Sequence, residues 1–272
     1  MCCFSQAVEY VSNTNIFARP LPEGRQALVY SMSFAAAGEL AMILPLPVPP
    51  GPPEDAVRFV SLEGYDDFFT DMKKAFPVMM APQSRGGIAD LGMPEAGALV
   101  VHDVGDFEAS FVPTMKDFER LDERFKLSTD VWDRLPQYAD WGFAVFKLKG
   151  GDEPGFFDRL RGRTGSAKKD VHPMAFEFPR RDPDALFFPT VHIHDGEVHD
   201  QAAFDHTLYC QADAMPEATG APDSWEKSAG PLGQHVDSKR SKDLIDPDAF
   251  CYRRVLLGMM DNRDQELRSA EG

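Results

Sequence analysis

The sequence predicts an α+β fold, mainly antiparallel β with a few short helices and a sandwich- or barrel-like core. Three observations carry that prediction. Many short segments alternate β-branched or aromatic residues with small or polar ones. Helical spacing of apolar residues is confined to a few places. The regular strand–helix alternation that a doubly wound α/β chain needs is missing. Phenylalanine is abundant, with 21 among 272 residues, and the 43% hydrophobic content is ample for a packed core.

Taken in order, residues 6–11 read as a strand and Ser12 to Asn15 as a turn. A second strand follows at Asn15–Arg19, and Glu23-Gly24 is another turn. Gln26–Phe34 alternates as a third strand, and Glu39–Leu44, apolar on both faces, reads as a central one. Pro45 to Pro53 holds six prolines in nine residues, which makes it extended, poor in amide donors and a stiff connector. Ala56–Leu62 reads as a strand. Phe68, Phe69, Met72 and Phe76 recur at helical spacing within Tyr65–Phe76. Residues 77–97 carry Pro, Gly and Ser without periodicity and form a loop. Ala98–His102 and Phe107–Val112 suggest a hairpin. Ser128-Thr129-Asp130 has the residues that open a helix, and Pro136 stops it. Gly142–Lys149, Met174–Phe178 and Leu186–His194 read as strands. From Asp200 to Cys210 two readings stand: a short helix, or a strand with Phe204, His206, Leu208 and Cys210 on one face. Residues 213–247 form a long loop and Cys251–Met259 a last regular element. The whole is one globular domain over 1–260, followed by a disordered tail at 261–272.

The formal charge of −16 repels phosphate backbones and argues against nucleic acid as a partner. The one cationic stretch, Gly150 to Asp170, contains Arg159, Arg161, Arg163, Lys168 and Lys169 and reads as a loop or an anion clamp. The longest apolar run, Leu40 to Leu46, is far short of the roughly 20 residues that cross a bilayer. With no signal-peptide core, the chain is expected to be a soluble cytoplasmic protein of bacterial type, away from membranes, with its four cysteines reduced.

The densest chemistry lies in Phe188–His199. Asp195-Gly196 is a strong hairpin signal, because a type I′ turn needs φ > 0 at both central positions. A turn there sets His194 opposite Glu197 and His192 opposite His199, with all four on one face. Four of the seven histidines fall between 192 and 206. Neutral imidazoles in this number suit a transition metal: copper, iron or zinc. His192, His194, His199 and His206 are the candidate ligands, and Glu197 is a ligand or a base on bound water. Cys210 follows His206 closely enough to join the site.

The amino terminus is a second candidate. Removal of Met1 would leave Cys2 with both a thiol and a free α-amine, which titrates near 7.7–8.0 and can act as a base. This terminus resembles that of the N-terminal-nucleophile hydrolases, and Ile16-Phe17-Ala18-Arg19 is similar to a strand that follows their nucleophile. Cys3, and Pro20 after the arginine, depart from that pattern. The resemblance implies amidase-like hydrolysis with Cys2 as nucleophile. Cys2 and Cys3 could instead supply soft ligands to the histidine face.

The expectation from sequence is therefore a metal-dependent enzyme, oxidoreductase or hydrolase, acting on a small-molecule or peptide substrate. Cys2, Glu197 and Cys210 are its candidate catalytic residues. An amidase-like hydrolase and a non-enzymatic metal-binding protein are the alternatives.

Overall fold

Strand β3 (Arg25–Ala35) organises the molecule, because nearly every one of its residues is buried. Successive side chains of a strand point to opposite faces. Leu28 and Tyr30 therefore enter one hydrophobic core and Ala27 and Val29 another. Its neighbour β2 (Tyr10–Leu21) divides in the same way, with Ile16 and Ala18 on one side and Phe17 on the other. A strand covered on both faces is largely apolar, as β3 is from Ala27 to Tyr30.

The computed structural model describes residues 2–36, 38–76, 107–148, 169–212 and 224–268. The remaining strands are β1 (Cys2–Phe4), β4 (Leu40–Leu46), β5 (Arg58–Val60), β6 (Phe107–Val112), β7 (Gly142–Leu148) and β8 (Lys169–Asp170). They continue with β9 (Met174–Pro179), β10 (Ala185–Phe188), β11 (His192–Ile193), β12 (Gln201–Cys210), β13 (Glu226–Pro231), β14 (Phe250–Asp261) and β15 (Gln265–Arg268). Helices are few: α1 (Phe68–Lys74), α2 (Thr129–Asp133) and short 3₁₀ turns.

The large sheet runs β13-β14-β12-β2-β3-β9-β5, with β8 also paired to β3. A five-stranded sheet runs β11-β1-β4-β7-β6, and β10 pairs with β15 alone. Most pairs are antiparallel, but β12/β2 and β1/β11 are parallel, so both large sheets are mixed. No sheet closes into a barrel among the described residues. One core holds side chains of both large sheets, including Met42, Phe146 and Phe176. The second core covers the other face of the large sheet with Phe68 and Met72 of α1 and Val236, Leu244 and Ile245.

Several sequence expectations change in form. The signal at Ser12 to Asn15 is a bulge, not a turn. β2 runs through it, the register with β3 shifts there, and Asn13 sits at φ 53°. Asparagine tolerates that conformation, and bulges and turns draw on the same residues. The helix expected over 65–76 is shorter, Phe68–Lys74, and the strand expected over 56–62 is Arg58–Val60. Leu186–His194 divides at Pro189-Thr190 into β10 and β11, which join different sheets. Gln201–Cys210 is a strand. Gln265–Arg268, within the expected tail, pairs with β10. The loop 77–97, the strand Ala98–His102 and the basic stretch up to Lys168 lie outside the described residues.

Candidate functional site

β1 lies inside the five-stranded sheet. Cys2 and Cys3 pair in parallel with His192 and Ile193, and Cys3 and Phe4 pair antiparallel with Ile43 and Met42. Cys3 and Phe4 are buried. The amino-terminal segment is thus flanked by a strand on each side and does not form the lip of a cleft.

Beside β1 stand three histidines. His192 Nε2 and His206 Nε2 are 3.2 Å apart, and both residues are buried. Two neutral imidazoles at this distance bond with complementary tautomers, one Nε2–H donating to the other Nε2. The His194 ring centroid lies 4.8 Å from that of His192, and Phe4 closes on His194 at 5.6 Å. Phe204 covers the pair, 4.6 Å from His192 and 5.2 Å from His206. His194 Nε2 and His206 Nδ1 are buried without a hydrogen-bond partner. Burial, then the charge of neighbouring His194, lowers the His192 pKa to about 3. Burial lowers that of His194 to about 4, and that of His206 falls well below its usual range for the same reason. All three are neutral at pH 7.

The hairpin expected at 192–199 does not form, and the reason is local. Gly196 has φ 82°, but Asp195 is not among the residues at positive φ, so the type I′ turn is absent. Asp195 instead accepts from Glu197 N through Oδ1 and faces His199 Nε2 at 2.8 Å through Oδ2. His199 is exposed there, away from the buried pair, and Glu197 lies against Arg134 at 3.1 Å. The structure therefore brings together His192, His194 and His206, and separates them from His199 and Glu197.

Cys210 is buried at the end of β12, beside Ala18 and Tyr252. Burial and nearby Cys251 push its thiol well above the usual range, which makes it an inert hydrophobe at neutral pH. Elsewhere, His172 Nε2 lies 3.3 Å from Asp66. His102 lies outside the described residues.

Sequence reasoning missed the residues that hold this segment. Asn262 Oδ1 accepts from His192 N at 2.7 Å, and Asn262 Nδ2 donates to the carbonyls of His192 and His199, both at 2.9 Å. Asp264 Oδ1 accepts from Thr190 N and Val191 N, and its Oδ2 accepts from Tyr138 Oη at 2.6 Å. Both lie in the expected tail, where polar composition hides a clasp. Asx residues two apart, just past an apolar strand, were the available signal.

No family model and no curated protein matches the chain. Among solved structures, it is similar to the crystal structure of baculovirus P35, with 14% identity, full coverage of both chains and a TM-score of 0.50. It also matches a mutated baculovirus P35 after caspase cleavage, at 14% identity and TM-score 0.48, over 95% of this chain and all of that one. The P35 chain of a caspase-8/P35 complex matches at 12% identity and TM-score 0.44, over 95% and 96% of the two. The first of these establishes the fold over the whole length.

These findings correct the functional expectation. Among the described residues no group of three or more His, Cys, Asp or Glu side chains is arranged to hold a metal ion. Copper, iron and zinc are left without support. The metal-dependent oxidoreductase or hydrolase expected from sequence is contradicted by the whole-length likeness to the fold of baculovirus P35. The small-molecule or peptide substrate expected from sequence finds no support in the comparisons; the caspase-8/P35 complex pairs P35 with a protein.

Proposed function

We propose that this chain is a protease inhibitor that docks on a cysteine protease of the caspase kind. The observation that carries the reading is the likeness to baculovirus P35 from end to end, with both chains fully covered. A sandwich-like pair of sheets with a shared core supplies the rigid scaffold on which binding segments are displayed. The three cysteines Cys3, Cys210 and Cys251 form no disulfide, which supports a reducing, cytoplasmic setting. Cys2 is the candidate for chemical participation, because a thiolate is a nucleophile.

The test is direct. Purified chain is preincubated with caspase-8, residual activity is followed on a fluorogenic peptide, and the mixture is resolved by size exclusion and intact mass. Expected are a loss of protease activity that grows with time and co-elution of the two proteins. Any cut in the inhibitor is located from the intact masses of the fragments. Full protease activity with no co-elution, across a panel of caspases, overturns the reading. If inhibition is seen, Cys2→Ser separates docking from chemistry: a complex that forms yet dissociates faster than wild type assigns Cys2 a covalent part.

A further inference from the structure

We propose that the outer edge of β14, from Arg254 to Asp261, docks an extended segment of a partner protein whose side chains alternate between apolar and acidic. Three independent features of that edge describe the same ligand.

Among the described residues the edge itself is open. β13 pairs with β14 at Phe250, Tyr252 and Arg253 and no further. From Arg254 to Asp261, among the described residues, β14 has a neighbour on one side only, β12, through the register Asp261↔Gln201 to Leu208↔Arg254. An open edge presents a row of backbone donors and acceptors that a further strand can satisfy. Natural edges are usually blunted by lysine or proline. Neither occurs between residues 254 and 261.

One face of the edge is apolar. Val255, Leu257 and Met259 are 49%, 75% and 66% exposed, and as every second residue they share a face. They are three of the five large hydrophobic side chains that the described residues leave exposed.

Arg254, on the other face by alternation, lines a cavity of about 310 Å³ at this edge together with Arg263 and the apolar side chains of Phe204, Leu256, Met259 and Met260. No ion pair involves either guanidinium among the described residues, although acidic residues outnumber basic ones by 44 to 28 in the chain. Asp261 is the cavity's one carboxylate. Arg254 Nε is buried and has no hydrogen-bond partner. A buried donor without an acceptor is costly, and a carboxylate fits a guanidinium fork with two parallel bonds. A strand laid along β14 would send alternate side chains to the two faces. Its apolar residues would meet Val255, Leu257 and Met259, and its carboxylates would enter the arginine cavity.

The experiment uses the full chain and two fluorescein-labelled probes: a short peptide alternating valine and glutamate, and its counterpart with lysine in place of glutamate. Fluorescence anisotropy should show saturable binding of the glutamate peptide and none of the lysine peptide. Replacing Arg254 and Arg263 together by alanine should weaken binding about tenfold or more, as expected for lost charge-assisted bonds. Leu257→Lys, at an exposed position, should weaken it comparably by charging the edge. Matching unfolding midpoints confirm that the variants fold; if the double variant does not, Arg263→Ala and Leu257→Lys carry the test. Absence of saturable binding, equal binding of the lysine peptide, or unchanged affinity in the variants overturns the proposal. Self-association of the wild type that Leu257→Lys abolishes, without peptide binding, assigns the edge to a second copy and also overturns it.

Discussion

His192 and His206 are held neutral inside the protein, which ties stability to acid. The sign follows from where the proton goes. In the unfolded chain these imidazoles titrate near 6.5, whereas in the folded one His192 is pushed down to about 3 and His206 well below its usual range. Between those limits the unfolded state binds protons that the native state refuses, so stability is whole above pH 6.5 and falls as the pH drops. Each such histidine contributes at most about 1.4 kcal/mol per pH unit across that window. Urea midpoints should therefore fall from pH 7 to pH 5, and His192→Gln, which removes one titrating ring, should make the fall shallower. Parallel pH profiles for the two proteins would refute this account. The histidine cluster was legible in the sequence as a count of histidines. Its membership was not, because membership depended on the φ of Asp195 and on a strand, β12, that the sequence left undecided between helix and strand.

At the scale of elements, the segment 190–199 is held by side chains from 262–264 and not by its own turn. Asp264 satisfies two backbone amides and a tyrosine hydroxyl at once. Asp264→Ala leaves those donors unpaired in a half-buried place, at about 1–3 kcal/mol for each group that water cannot reach. The expected result is a loss of about 3 kcal/mol in equilibrium unfolding, with faster amide exchange at Thr190 and Val191. An unchanged exchange rate at both amides would show that the clasp is not needed. Gln26 plays a similar part: buried in β3, its Nε2 donates to Phe187 O at 2.7 Å and its Oε1 accepts from Phe187 N at 3.0 Å, fixing β10 to the large sheet. Strand existence was legible where alternation was clear, as in β3 and β7, or where a short run was apolar on both faces, as in β4. Partner choice was not, since pairings such as Cys2 with His192 span most of the chain. The bulge at Asn13 and the break at Pro189-Thr190 used residues that turns also use, so the local signal was right about irregularity and wrong about its form.

For the whole molecule, the large sheet is the middle layer. The five-stranded sheet shares a core with one of its faces, and α1 with the 232–245 segment shields the other. Phe68 anchors the second cover. It is fully buried and meets Phe17, Tyr65 and Phe69 with ring centroids 6.0, 5.9 and 5.1 Å away. Phe68→Ala should cost about 3–5 kcal/mol, read as a lower denaturant midpoint with little change in slope. A loss below about 1 kcal/mol would mean that the outer layer adds little to the fold. That the chain is mostly β with few short helices was legible from composition and period, whereas the mixed sheets and the absence of a closed barrel among the described residues were not. Layer order was not, since no local rule tells a strand which face of which sheet awaits it.

The position of β1 has a consequence for biosynthesis. Cys2–Phe4 pairs on one side with residues 42–43 and on the other with His192-Ile193, some 190 residues later in the chain. β2 likewise waits for β12 at 206–210. At translation rates of about 5–20 residues per second, those early strands stand incomplete for roughly 10–40 s. During that time apolar segments such as Leu40–Leu46 lack their full cover. The nascent chain is thus a natural client for chaperones, and the fold closes only as its last third emerges.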